Sequence, residues 1–333
     1  MGSVTAAGRE AEAVSSEAGT GAPPPGGVEV VTAPSNLGLR PPAPGREPGV
    51  WRAPRVLMSQ GLGRRLNAAR IVDLPRPKYE FQGQPGTRIR NGTAIRAHAL
   101  KLADAVATGL AASQFVVVVG GDCSIMLGCL AGARRGGRCG LVHVDGHRDF
   151  SHPGNYEAGS RLGSAAGMDL ALATGRGELL LTHWPVAGKP LVHDADVIQI
   201  GDREPAETDW PDGPIVRLPV QDVLPAGIAE VVGRTIGYLR QQGLDRVWLH
   251  VDLDVLDQRE LPAVDTPGSP GLTFGQLGQL LSGLVAAGCV VGLDVTIYDP
   301  ELDPAGQYAP RIVDCLASAL APLTAPAAGQ ANT

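Results

Sequence analysis

The chain has 333 residues, with 28 Lys and Arg against 34 Asp and Glu for a net charge of −6. No basic block gathers in it, which argues against nucleic acid or an anionic membrane as partner, because both need clustered positive charge. With 44% hydrophobic residues and no apolar run near the about 18 residues of a membrane span, the sequence reads as a soluble globular protein with a large core.

Residues 1–50 carry eight prolines and nine glycines and few large apolar side chains. Little there offsets the entropy of ordering the chain, so a disordered tail is expected up to Val50, then one domain over 51–322 and a flexible C-terminus over 323–333. Five β-branched, nearly continuous apolar runs follow: Phe115–Val119, Gly140–Val144, Val197–Ile200, Val247–Val251 and Cys289–Val295. Such runs suit strands buried on both faces of a parallel sheet. Between them, Thr93–Leu110, Ser124–Arg134, Gly227–Gln241 and Thr273–Ala287 show helical period, with Thr273 as a cap and Gly243 and Gly288 as stops. Alternating strand and helix predict a three-layer α/β/α fold around a doubly wound, mostly parallel sheet. Five widely spaced cysteines (Cys123, Cys129, Cys139, Cys289, Cys315), and an N-terminus without a cationic start and apolar run, predict free thiols in a reducing cytoplasm.

Ligands in such sheets bind beyond the carboxyl ends of the strands. Three of the runs end in metal-ligand chemistry: Gly120-Gly121-Asp122-Cys123-Ser124, Asp145-Gly146-His147-Arg148-Asp149 and Asp252-Leu253-Asp254. In an extended chain Asp145, His147 and Asp149 project to one side, as do Asp252 and Asp254. Four carboxylates and an imidazole at one sheet edge repel strongly unless cations neutralise them, so a metal site is expected. His143 and His250, each two residues before a candidate ligand, read as satisfied histidines beneath the site, with orienting the ligands as the alternative. Cys123 by itself would read as a small buried hydrophobe.

These motifs, with Asp252-Leu253-Asp254-Val255-Leu256-Asp257, the loop Thr266-Pro267-Gly268-Ser269-Pro270-Gly271-Leu272-Thr273 and Leu293-Asp294-Val295, resemble those of the ureohydrolases, the arginase and agmatinase family, from about Arg52 to Leu320. The resemblance implies a domain holding two manganese ions whose bridging hydroxide attacks a guanidinium carbon and releases urea. It further implies that Cys123, Asp145, Asp149 and Asp252 face one metal and Asp145, His147, Asp252 and Asp254 the other. Assembly as a homo-oligomer, a trimer or hexamer, follows from the same likeness.

Three positions depart from the family pattern. Cys123 stands where a histidine is usual, and a soft thiolate favours zinc or iron(II) over manganese. Ile297 takes the place of the glutamate that holds a guanidinium in arginases, and Asp294 and Asp299, on opposite faces of an extended strand, are no clean replacement. Ala166 takes the place of a proton-shuttling histidine, for which His152, three residues beyond Asp149, is the candidate substitute. The expected function is metal-dependent hydrolysis of a linear C–N bond in a small molecule: an amidine, a modified guanidine such as a hydroxyguanidine, or an amide. Asp149 and His152 are the candidate catalytic residues. Two alternatives stand beside it. One is an inactive descendant with a structural or regulatory role. The other is a mononuclear zinc amidohydrolase of the histone-deacetylase type, to whose site Asp145, His147 and Asp254 are similar, although the tandem histidine of those enzymes is absent.

Overall fold

The computed structural model describes residues 26–153, 162–185, 190–205 and 213–324. The eight strands are β1 Val28–Ala33, β2 Ala68–Asp73, β3 Phe115–Gly120, β4 Gly140–Val144, β5 Val197–Ile200, β6 Val216–Leu218, β7 Val247–Asp252 and β8 Val290–Thr296. They form one sheet in the order β2-β1-β3-β8-β7-β4-β5-β6, and every pairing is parallel. Strand residues point alternately to two cores. Val117, Val119, Val142, Leu249 and Val295 meet the helices Ala53–Ser59, Ile228–Gln241, Phe274–Ala286 and Tyr308–Ala319. Val116, Val118, Leu141 and Trp248 meet Gly92–Ala111, Met126–Ala133 and Asp169–Ala173. Burial on both sides explains why these strands read as unbroken apolar runs.

The five expected strands and four expected helices form within a few residues of their predicted ends. Thr273 caps its helix in a capping box: its Oγ1 accepts from the Gln276 N–H at 3.2 Å, and the Gln276 side chain accepts from the Thr273 N–H at 2.9 Å.

The expected tail over 1–50 requires correction. Its first 25 residues lie outside the described residues, as do 325–333 of the expected flexible C-terminus. Residues 28–33, however, form β1, buried along its whole length between β2 and β3, and Leu37, Leu39 and Val50 are core residues. A Pro and Gly count over fifty residues obscures a six-residue strand, and β1 gains its stability from neighbours 35 or more positions away. Gly121 shows how tightly this segment packs: a Cβ there would come within 1.6 Å of the Ser35 carbonyl oxygen, so only glycine fits.

Candidate active site

The four middle strands, β3, β8, β7 and β4, bring the motif residues together at their carboxyl ends. After β3, Asp122 accepts hydrogen bonds from the Ser35 hydroxyl at 2.7 Å and from the Gly38 and Ser124 N–H groups at 3.0 Å. Its carboxylate thus ties the segment after β1 to the start of the next helix and aims Cys123 at the site. Cys123 Sγ lies 2.7 Å from Asp252 Oδ2 and 3.4 Å from Thr296 Oγ1 at the end of β8.

Beyond β4 the chain is not extended, as the one-sided projection of Asp145, His147 and Asp149 would require. It turns, with Asp149 in the left-handed region at φ 48°, and the three side chains converge through that turn. The Asp145 carboxylate accepts from the His147 N–H at 2.6 Å, Asp252 from the Asp254 N–H at 2.7 Å, and Asp254 from the Gly146 N–H at 3.1 Å. His147 Nδ1 stands 2.9 Å from Asp254 Oδ2 and 3.7 Å from Asp145 Oδ1. Arg148, in the same motif, turns away from the cluster and is buried against Asp202 at 3.3 Å and the Glu204 carbonyl at 3.2 Å, a structural anchor.

Burial, reinforced by mutual repulsion, pushes the carboxyls of Asp145, Asp169 and Asp252 well above the ordinary range. Burial also raises Asp149, to about 7, against the opposing pull of His147. The Cys123 thiol goes up for the same reasons, burial first and then Asp252. For His147, burial opposes the charged ring, but the hydrogen bond and charge of Asp254 prevail and lift it to about 9. Such a crowd of desolvated acids fits a divalent cation. Two observations test that fit. Ligand atoms of Asp145, His147 and Asp254 lie within 4.8 Å of one another, and Asp145 Oδ2 is buried without a hydrogen-bond partner. Cys123 groups with His250 and Asp252, and again with Asp149 and Asp169.

A cavity of about 430 Å³ opens over the cluster, lined among others by Cys123, His147, Asp149, Asp252 and Asp254. Ile297 and Ala166 form part of its wall. Ile297 is 3% exposed and holds φ at 73°, strained for a β-branched residue, with its N–H donating to the Gly121 carbonyl at 2.7 Å. The two carboxylates weighed as replacements are committed elsewhere. Asp294 accepts from Trp248 and pairs with His250, and Asp299 accepts from the Gly49 and Glu301 N–H groups. His152 packs edge-on against Phe150, ring centroids 5.8 Å apart; among the described residues Phe150 and Ser151 line the cavity and His152 does not.

Three lining residues, Arg40, Glu204 and Asp265, and the buried Asp169 carry charge that sequence reasoning missed. No strand-end pattern marks them; Asp169 opens a five-residue helix, and the others sit in connecting segments.

The Arginase family model matches residues 45–321. The chain belongs to the arginase family. The arginase of Bacillus caldovelox is 31% identical over 281 residues, covering 81% of this chain and 92% of that protein. The native structure of that arginase superposes with a TM-score of 0.76 at 28% identity, covering 88% of this chain and 98% of that one. The proclavaminate amidino hydrolase of Streptomyces clavuligerus, at 19% identity and a TM-score of 0.61 over 90% and 92% of the chains, shares the fold. Membership makes this protein a hydrolase of non-peptide C–N bonds.

Proposed function

We propose that the protein hydrolyses an amidine, a modified guanidine such as a hydroxyguanidine, or an amide in preference to arginine or agmatine, at a centre built from the six motif residues. The observation that carries this reading is Ile297 in the wall of the cavity beside the acidic cluster. A guanidinium lying against that side chain finds no carboxylate there, and burying an unpaired cation costs several kcal/mol. Asp145, His147, Asp252 and Asp254 would hold one ion, and Cys123, Asp145, Asp149 and Asp252 the other. A divalent ion there supplies Lewis acidity and brings the ionisation of water towards neutral pH.

The chain's own residues do the rest. Asp149, lining the cavity, takes up a proton from the attacking water at its carboxylate, and His152, which packs behind the wall residue Phe150, has to swing past it to serve as the acid for the departing nitrogen. Leu39, Phe150 and Ala166 line the same cavity with carbon and limit water around the reacting group. The family likeness supports manganese, and the soft donor Cys123 supports zinc or iron(II) at the position it serves. We place this activity in a cytoplasmic homo-oligomer. The test is urea and ammonia release from arginine, agmatine, a hydroxyguanidine, an amidine and a primary amide, of which the amide is the uncharged member. At least a tenfold preference in kcat/KM for the uncharged member is expected, and arginine as the best substrate would refute the reading.

A further inference from the structure

One layer below the cavity, polar side chains run across the middle of the sheet. Gln199 on β5, His143 on β4, His250 on β7 and Asp294 on β8 are successive register partners. His143 and His250 lie two residues before Asp145 and Asp252 and so share their face. All four are fully buried, as is Asp169, which meets this row from the helix Asp169–Ala173.

The outer members are engaged. Gln199 donates to the carbonyls of Asp145 and His147 at 3.3 and 3.0 Å, and Asp294 accepts from the Trp248 indole and contacts His250 Nδ1, both at 2.6 Å. Buried polar atoms are left over along the row: His143 Nδ1, Gln199 Oε1, His250 Nε2, Asp169 Oδ2 and Asp145 Oδ2 have no hydrogen-bond partner. The tautomer of His250 that gives its Nδ1–H to Asp294 leaves Nε2 free to bind a metal, the arrangement that a carboxylate imposes on a metal-binding histidine. That nitrogen faces Asp169 Oδ2 across 3.6 Å. A proton between the two would draw them to about 2.8 Å, so they are not hydrogen-bonded. On the other side of the same carboxylate, His143 Nε2 is 3.2 Å from Asp169 Oδ1. Two donors each about 2.1 Å from one tetrahedral ion are about 3.4 Å apart, close to the distances at which the two rings stand from the two oxygens of the Asp169 carboxylate.

We infer that His143, His250 and Asp169 bind a divalent cation of the zinc type, beneath the cavity and separate from the Asp145, His147 and Asp254 group. Two imidazoles and one carboxylate match zinc better than the harder manganese or magnesium. Cys123 groups with His250 on one side and with Asp169 on the other, so this site abuts the centre to which that thiol is assigned. The ion would lie under Asp145, whose Oδ2 is 3.7 Å from His143 Nε2, and would offset the charge of the acids above it. This inference does not depend on the identity of the substrate.

The experiment is metal stoichiometry on the full-length chain. Parent, Asp169→Asn, His250→Gln and Asp254→Asn proteins are loaded with zinc, dialysed and analysed for zinc by mass spectrometry, and their cobalt(II) forms are compared by visible absorption. Asp169→Asn and His250→Gln should each lose one equivalent of zinc together with the intense d–d bands of a four-coordinate cobalt, while Asp254→Asn keeps those bands and loses only the ion held by the Asp145, His147 and Asp254 group. Circular dichroism and melting of the metal-free proteins establish that each variant is folded, and His143→Gln replaces any that is not. Unchanged stoichiometry and spectra in the Asp169 and His250 variants, or loss of all zinc in Asp254→Asn alone, would overturn the inference.

Discussion

Removing the cation should expose a pH dependence that the loaded protein lacks. His147, beside Asp254, is raised from its ordinary 6.5 to about 9. A histidine whose folded pKa is raised adds stability that is complete below about pH 6.5 and is lost as pH climbs through 9. Each unit corresponds to about 1.4 kcal/mol, so the chelated protein should lose on the order of 3 kcal/mol between pH 6.5 and 9. Asp149, raised to about 7, acts in the same direction: its contribution is present below about pH 4 and largely gone by pH 7, so it adds little in this window. His98, lowered to about 4 by burial, loses stability only as pH falls below 6.5 and does not interfere. Thermal melts in excess chelator should therefore drop by roughly 5 to 10 °C across the window. The loaded protein should drop much less, because an ion on His147 requires the neutral ring at every pH. His147→Asn should make the drop smaller, what remains coming from Asp145, Asp169 and Asp252, whose raised carboxyls act in the same direction. A chelated parent that melts at the same temperature at pH 6.5 and 9 would refute the assigned pairing of His147 with Asp254.

Ile297→Glu returns a carboxylate to the cavity wall and should raise kcat/KM for arginine about 10- to 100-fold relative to a primary amide, the worth of one charged hydrogen bond; steady-state kinetics on both substrates checks it. A chain starting at Gly26 should melt with the full-length protein, whereas one starting at Trp51 lacks the interior strand β1 and should fail to give a cooperative melt. Cys123→His should raise manganese occupancy towards two ions per chain in elemental analysis, since it replaces a soft donor by imidazole; no change would show that the thiol plays no part in metal choice.

The sequence alone determined the parallel α/β architecture, because its central strands are buried on both faces and announce themselves as apolar runs with helical periods between. It also determined the motif residues, since polar groups directly after such runs have nowhere to go except the carboxyl edge of the sheet. The edge and near-edge elements were beyond its reach. β1 sits in a proline-rich stretch, β2 is an edge strand with Arg70 and Ile71 exposed, and β6 has three residues; each is specified by its neighbours rather than by its own pattern. Tertiary structure alone decided which charges meet. Asp169 reaches His143 and His250 through a segment with no motif, and Arg40, Glu204 and Asp265 reach the cavity from three separate connections. It likewise decided that Asp122 braces the fold and that the Arg148 side chain is tied to Asp202 and the Glu204 carbonyl rather than to the acidic cluster, because the direction of a side chain beyond a strand end depends on the turn it enters, not on spacing.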